Sequence, residues 1–325
     1  TLTALGTTLV LHASSRADAR NRPRAGGPVV TAGTVTLTQP GRILVRNMAW
    51  GPHRDELAAV SAADPAGPRT ASGVKCLRFY AAGGTGICLQ SVPDALRESY
   101  RALVLDARLH TLRAFPLAGI PTRSRVSPDG RFVAWTVFVG GDSYSTTNFS
   151  TRTSIVDTRT WQLTSTLEDF AIVMDGRQYR SVDDNFWGVT FAADDDTFYA
   201  TLGTRHRTYL VKGSISRRTV STVLTNVECP SLSPDGTRIA FKKRVPGLPD
   251  AAPWREYVLD LRTLRETPVA DSHSIDDQAV WLDDRTLAYA LPGDFGTDLW
   301  TAPADGSGRA RKLIADALAP APVRG

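Results

Sequence analysis

Few residues in this chain are arranged in ways that could do chemistry. The five histidines, His12, His53, His110, His206 and His273, are scattered, without metal-ligand spacing and without a serine-bearing turn beside any of them. The nearest approach to a nucleophile elbow, Gly141-Asp142-Ser143-Tyr144-Ser145, lacks the second glycine that such a strained turn requires. Asp194, Asp195 and Asp196 have the charge to hold a cation, but they stand where a turn between two strands is expected and read as a solvated corner. No glycine-rich phosphate loop is present. No catalytic residue, metal or cofactor is expected. Cys76 and Cys88 each lie six residues from Ala82, beside the Gly83-Gly84 turn, so a hairpin centred on Ala82 would set them face to face. A disulfide is then feasible in an oxidising compartment, and two buried free thiols are the alternative. Cys229 reads as a buried thiol.

The elements that must position any site are strands. Helical periodicity is almost absent, and short apolar runs alternate with Pro-Asp-Gly, Gly-Gly and Asp-Asp turns. The run S-P-D-G occurs at Ser127–Gly130, before "RFVAWT", and at Ser233–Gly236, before "TRIAFK". Weaker copies follow at "FAADDDTFYATL", "WLDDRTLAYAL" and "GPHRDELAAV". Proline presets the first corner, aspartate hydrogen-bonds its own backbone and glycine supplies the positive φ at the exit, so the motif joins two antiparallel strands. Each such hairpin precedes a second of different signature, such as "TSIVDTRTWQLTSTL" or "EYVLDLRTLRETPV". Paired hairpins make a four-stranded unit of roughly 40 to 50 residues, the period of a propeller blade.

Five full units begin near Gly73, Pro121, Asp183, Thr225 and Ser274, and "ILVRNMAWGPHRDELAAVS" remains as an odd hairpin. "GTVTLTQ" (33–39) and "ALAPAPV" (317–323) are expected to complete a sixth blade and clasp the two ends. The prediction is an all-β, six-bladed propeller of four-stranded antiparallel blades, forming one domain over residues 34–325.

The spaced S-P-D-G turns resemble those of the TolB-like propellers, over residues from about 43 to 315; the same repeat occurs in the propeller of prolyl oligopeptidases. The resemblance implies six blades, an extracytoplasmic location and a binding scaffold whose partners meet its loops or central channel. It carries over no catalytic residue.

Binding residues follow from the repeat register. First strands line the axis of a propeller, so their entries at Arg123, Trp187, Glu228 and Asp276 should ring the channel mouth. This mixed ring could bind a small polar ligand or a peptide end, or serve as packing and salt bridges between blades. Two long insertions occupy equivalent places in their blades. One offers Tyr144, Asn148 and Phe149, with a formal N-glycosylation triplet at Asn148; the other offers Lys242, Lys243 and Trp254.

The chain carries 38 basic and 33 acidic residues, a net charge of +5, and the two signs are interspersed, which disfavours a nucleic-acid face. Residues 1–33 read as a truncated signal or anchor segment and linker, apolar to Leu11 and then rich in Arg and Ser. The expected protein is a monomeric, secreted or membrane-tethered binding scaffold with a protein or peptide partner in the cell envelope. A propeller-type hydrolase or lyase with its site in the central channel is the alternative.

Overall fold

A computed structural model describes residues 21–92, 98–139, 150–294 and 296–324. Six sheets radiate from an axis. In blades 2 to 6 the chain runs from the innermost strand outwards. The inner strands are Arg78–Ala82, Ile120–Val126, Asn185–Phe191, Glu228–Leu232 and Val280–Trp281. Blade 1 is composite. Its inner strand is Ala317–Val323, which pairs antiparallel with Arg42–Asn47, so the chain closes the ring on itself. Glu56–Ser61 and Arg69–Lys75 complete that blade outwards.

Two expectations about the closure need correcting. Residues 33–39 form no strand. The alternation read there instead inserts Val35 and Leu37 into the core shared by blades 1 and 2, and the Leu37 amide donates to Ala107 O. "GPHRDELAAV" is not a copy of the S-P-D-G hairpin but the connection between the second and third strands of blade 1, because the first strand comes from the other end of the chain. Val30–Ala32 adds a parallel strand to the edge of blade 1, and Arg24 lies 3.4 Å from Asp316, so part of the segment expected outside the fold packs on it. Blade 4 is also widened: Ala171–Met174 and Arg177–Tyr179 extend it to six strands, a hairpin the repeat did not reveal.

The S-P-D-G turns are built as their chemistry dictates. The Ser127 hydroxyl donates to Asp129 at 2.6 Å and accepts from the Phe132 amide, while the Arg131 amide donates to Asp129. Ser233 and Asp235 repeat the pattern with Thr237 and Arg238. Asp194 accepts the amides of Asp196 and Thr197, and Asp195 takes Arg131 of the preceding blade, so the three aspartates form a corner tied to its neighbour. The turns of blades 2 and 3 touch: a Cβ on Gly83 would lie 2.2 Å from the carbonyl carbon of Asp129. Apolar side chains from facing blades fill the space between sheets, as around Phe186, Phe198 and Phe170.

Cys76 and Cys88 are joined, with Cα atoms 5.4 Å apart. The expected register is not the reason. The hairpin centres on Gly83-Gly84, where Cys88 opposes Phe79, and Cys76 precedes the strand. The bond therefore pins the link between blades 1 and 2 to the second strand of blade 2. Cys229 is a buried free thiol.

Candidate functional site: a one-sided well on the propeller axis

Three inner strands carry the same irregularity. Their pairing slips between Trp187 and Thr190, between Glu228 and Ser231, and opposite Leu318 to Ala321. Within each slip the second residue takes a positive φ: Gly188 at 66°, Cys229 at 51° and Ala319 at 55°. Only glycine adopts this conformation without cost; cysteine and alanine hold it at about 1 kcal/mol or more each. A bulge bends its strand and re-aims the preceding side chain. Here the preceding residues are Trp187, Glu228 and Leu318, and all three line the same cavity.

That cavity is a well of about 1480 Å³ at the entrance to the inner strands. Arg78 of blade 2 and Asp276 and Asp277 of blade 6 line it as well, and Arg123 of blade 3 lines a small adjoining pocket with Arg125 and Gln278. Five blades thus contribute Leu318, Arg78, Trp187, Glu228 and Asp276 to the well, and blade 3 places Arg123 close enough for its charge to act on Glu228 and Asp276. Below, the axis is bridged. Arg125 donates to Ser231 Oγ at 3.0 Å and Ala279 O at 2.6 Å, with its guanidinium 4.4 Å from the Tyr80 ring centroid. Gln278 donates to Val189 O and Pro230 O. These cross-axis bonds make a floor.

One wall is an ionic row across blade 5. Glu228, Lys242 and Glu256 are paired neighbours on three successive strands. The Lys242 ammonium lies 3.3 Å from Glu228, 2.5 Å from Asp276 and 4.2 Å from the Trp254 ring centroid. Burial works against this ammonium, but Glu228 and Asp276 more than compensate and hold its pKa above the usual lysine range. Burial opposes ionisation of Asp276 too, yet Lys242 and Arg123 keep it below the usual carboxylate range. At Glu228 burial prevails over the pull of Lys242 and pushes the pKa up. Glu256 is 1% exposed, and neither of its carboxylate oxygens has a hydrogen-bond partner among the described residues. Burial, with Asp277 nearby, raises its pKa well above the usual carboxylate range and favours the neutral acid.

Of the residues singled out in the sequence, Trp187, Glu228, Lys242, Trp254 and Asp276 line the well and Arg123 its deeper pocket. Lys243 does not join them. Successive strand residues face opposite sides, so Lys243 points away, paired with Glu266 and over the Tyr257 ring. Tyr144, Asn148 and Phe149 lie outside the described residues, although Ser150, where their segment ends, lines the well. Arg78 and Leu318 were missed. The fifth entry lay beyond the unit start read near Gly73, and the sixth belongs to a strand written outside the repeat. Among the described residues no three His, Cys, Asp or Glu side chains are grouped as metal ligands.

No family model and no curated protein matches this sequence. Solved structures do match. TolB from Acinetobacter baumannii has a TM-score of 0.57 at 16% identity, over 86% of this chain and 66% of that one. A chain of a nidogen/laminin complex has a TM-score of 0.55 at 10% identity, over 86% of this chain and 97% of that one. A puromycin-hydrolysing peptidase from Mycobacterium tuberculosis has a TM-score of 0.50 at 14% identity, over 87% of this chain but 44% of that one. This chain therefore spans under two thirds of the TolB chain and under half of the peptidase. At such identities the shared property is the fold, a TolB-like β-propeller.

Proposed function

We propose that the protein is a non-enzymatic, extracytoplasmic binding scaffold that receives a polar ligand or the end of a protein partner in the axial well. The observation that carries this reading is the set of five entry residues, Leu318, Arg78, Trp187, Glu228 and Asp276, from five blades around a cavity bridged below by Arg125 and Gln278. Three bulges, two of them held in an unfavourable backbone conformation by non-glycine residues, aim side chains into it. The Cys76–Cys88 bond supports an oxidising compartment. A TolB-like fold supports a scaffold role by analogy alone.

The rival reading, an enzyme acting in the channel, would draw on Glu228 and Asp276. Both are already engaged by Lys242, which supports binding over catalysis.

Affinity capture from a cell-envelope extract tests the scaffold reading. Wild type, a Trp254→Ala/Asp250→Lys variant and a deletion of 141–149 are compared. Loss of a wild-type partner in the well variant is expected. Recovery of the same partners by all three proteins would sink the proposal.

A further inference from the structure

We infer that the well selects a ligand presenting an alkylammonium or guanidinium group; this rests on the binding role proposed above and narrows it. The chain as a whole is basic, with a net charge of +5. Its well has the opposite sign. The acids among its described lining residues are Asp183, Asp184, Glu228, Asp250, Asp276 and Asp277, and the cations are Arg78, Arg207, Lys242 and Arg244. Six carboxyl groups thus face four cationic ones in the cavity of a cationic protein.

Three of the four cations are also committed. Lys242 serves Glu228 and Asp276, Arg244 bonds Asp250 and lies over Trp254, and Arg78 lies 3.8 Å from Asp277. Capacity remains on the acidic side. The side chain of Asp276 is 48% exposed although it takes the Lys242 ammonium. Asp184 takes the Ser181 amide through one oxygen, and its other oxygen has no hydrogen-bond partner among the described residues. Asp183 accepts Ser181 Oγ, Thr204 Oγ1 and the Arg205 amide, which hold its pKa down at about 2. It stays charged whatever the ligand does.

Two indoles complete the chemistry. Trp187 and Trp254 line the well, and the Trp254 ring lies 4.2 Å from the Lys242 ammonium and 5.2 Å from the Arg244 guanidinium, an indole that already accepts cations at this place. A concave site bounded by protein focuses the field of its charges, so a small acidic excess acts more strongly there than on a convex surface. Carboxylates near indole faces are the pairing that recognises an organic cation. An anionic ligand would meet six acids, with three of the four counter-ions in use.

Titration calorimetry on the intact chain with three probes tests this: spermidine, a lysine hexapeptide capped at both ends, and a capped glutamate hexapeptide. Binding of spermidine identifies a free polyamine as a source of the cation, and binding of the lysine peptide alone points to a basic protein segment. Either supports the inference if affinity falls at least several-fold in Asp184→Asn and Asp250→Asn, rim changes that leave the buried Lys242 row intact. It should also fall between 50 and 300 mM salt, as screened charge pairs do. Binding of the glutamate peptide instead would overturn the cation preference and leave the scaffold reading standing. Binding of none of the three, by a protein whose thermal unfolding is normal, would count against both.

Discussion

Lys242 and Glu256 stand directly opposite one another on adjacent strands, yet the Lys242 ammonium goes to Glu228 and Asp276 on its other side. Glu256 is left as a buried acid without a hydrogen-bond partner among the described residues. Its raised pKa means that the native state binds a proton more tightly than the unfolded chain does. That contribution to stability is complete below about pH 4.5 and is lost as pH rises towards the native pKa. Glu256→Gln removes the loss. The variant is expected to match wild type near pH 4 and to exceed it above pH 5, the gap widening by up to about 1.4 kcal/mol per pH unit. Urea unfolding at several pH values measures it. A gap independent of pH would refute the neutral-acid assignment.

Lys242→Met has the opposite effect. Methionine fills the space but leaves Glu228 and Asp276 facing each other without their ammonium. The expected cost is about 3 kcal/mol, the penalty of breaking a buried pair. Adding Glu228→Gln should restore part of it, so the two changes are non-additive. Simple additivity in chemical denaturation would show that the pair is not coupled.

The disulfide closes a short loop. Removing it by Cys76→Ser with Cys88→Ser is expected to cost about 3 kcal/mol, judged from the closure entropy of a loop of roughly a dozen residues. In the denatured, unreduced wild type one thiol, that of Cys229, should titrate. Three reactive thiols would contradict the bond.

Two glycines test the backbone. Gly188 has a φ of 66°, and a Cβ there would come 2.8 Å from Cys229 Cα on the next blade. Gly83 has a φ of 54° and even less room against Asp129. Alanine at either site combines left-handed strain with a backbone clash, so losses above about 2 kcal/mol are expected. Gly176, with a φ of 75° but nothing within 4 Å, is the control, and Gly176→Ala should cost about 1 kcal/mol. Thermal melts that rank Gly176→Ala as the worst of the three would contradict the packing between blades.

The ring was legible because its corners are. Ser127, Asp129, Ser233 and Asp235 make local bonds that need no tertiary context, so their spacing carries the blade count. The closing role of residues 317–323 was legible, but their place as the innermost strand of blade 1 was not, since the partner strand lies at least 270 residues earlier. The well was read in part. Register alone placed Trp187, Glu228 and Asp276, while the direction of Lys242 against Lys243 depended on the twofold alternation of a strand whose phase the sequence does not mark. The bulges were hidden because their left-handed residue is a glycine only at Gly188. Cysteine and alanine at 229 and 319 give no sign that the backbone turns there.

The strand at 317–323 has a consequence in time. It is written after the strands of all the other blades, yet it is the innermost strand of blade 1 and brings Leu318 to the wall of the well. While the chain emerges from its N-terminal side, Arg42–Asn47 presents an open edge and no closed rim surrounds the axis. The wall of the well is therefore complete only once residues 317–323 have paired with Arg42–Asn47.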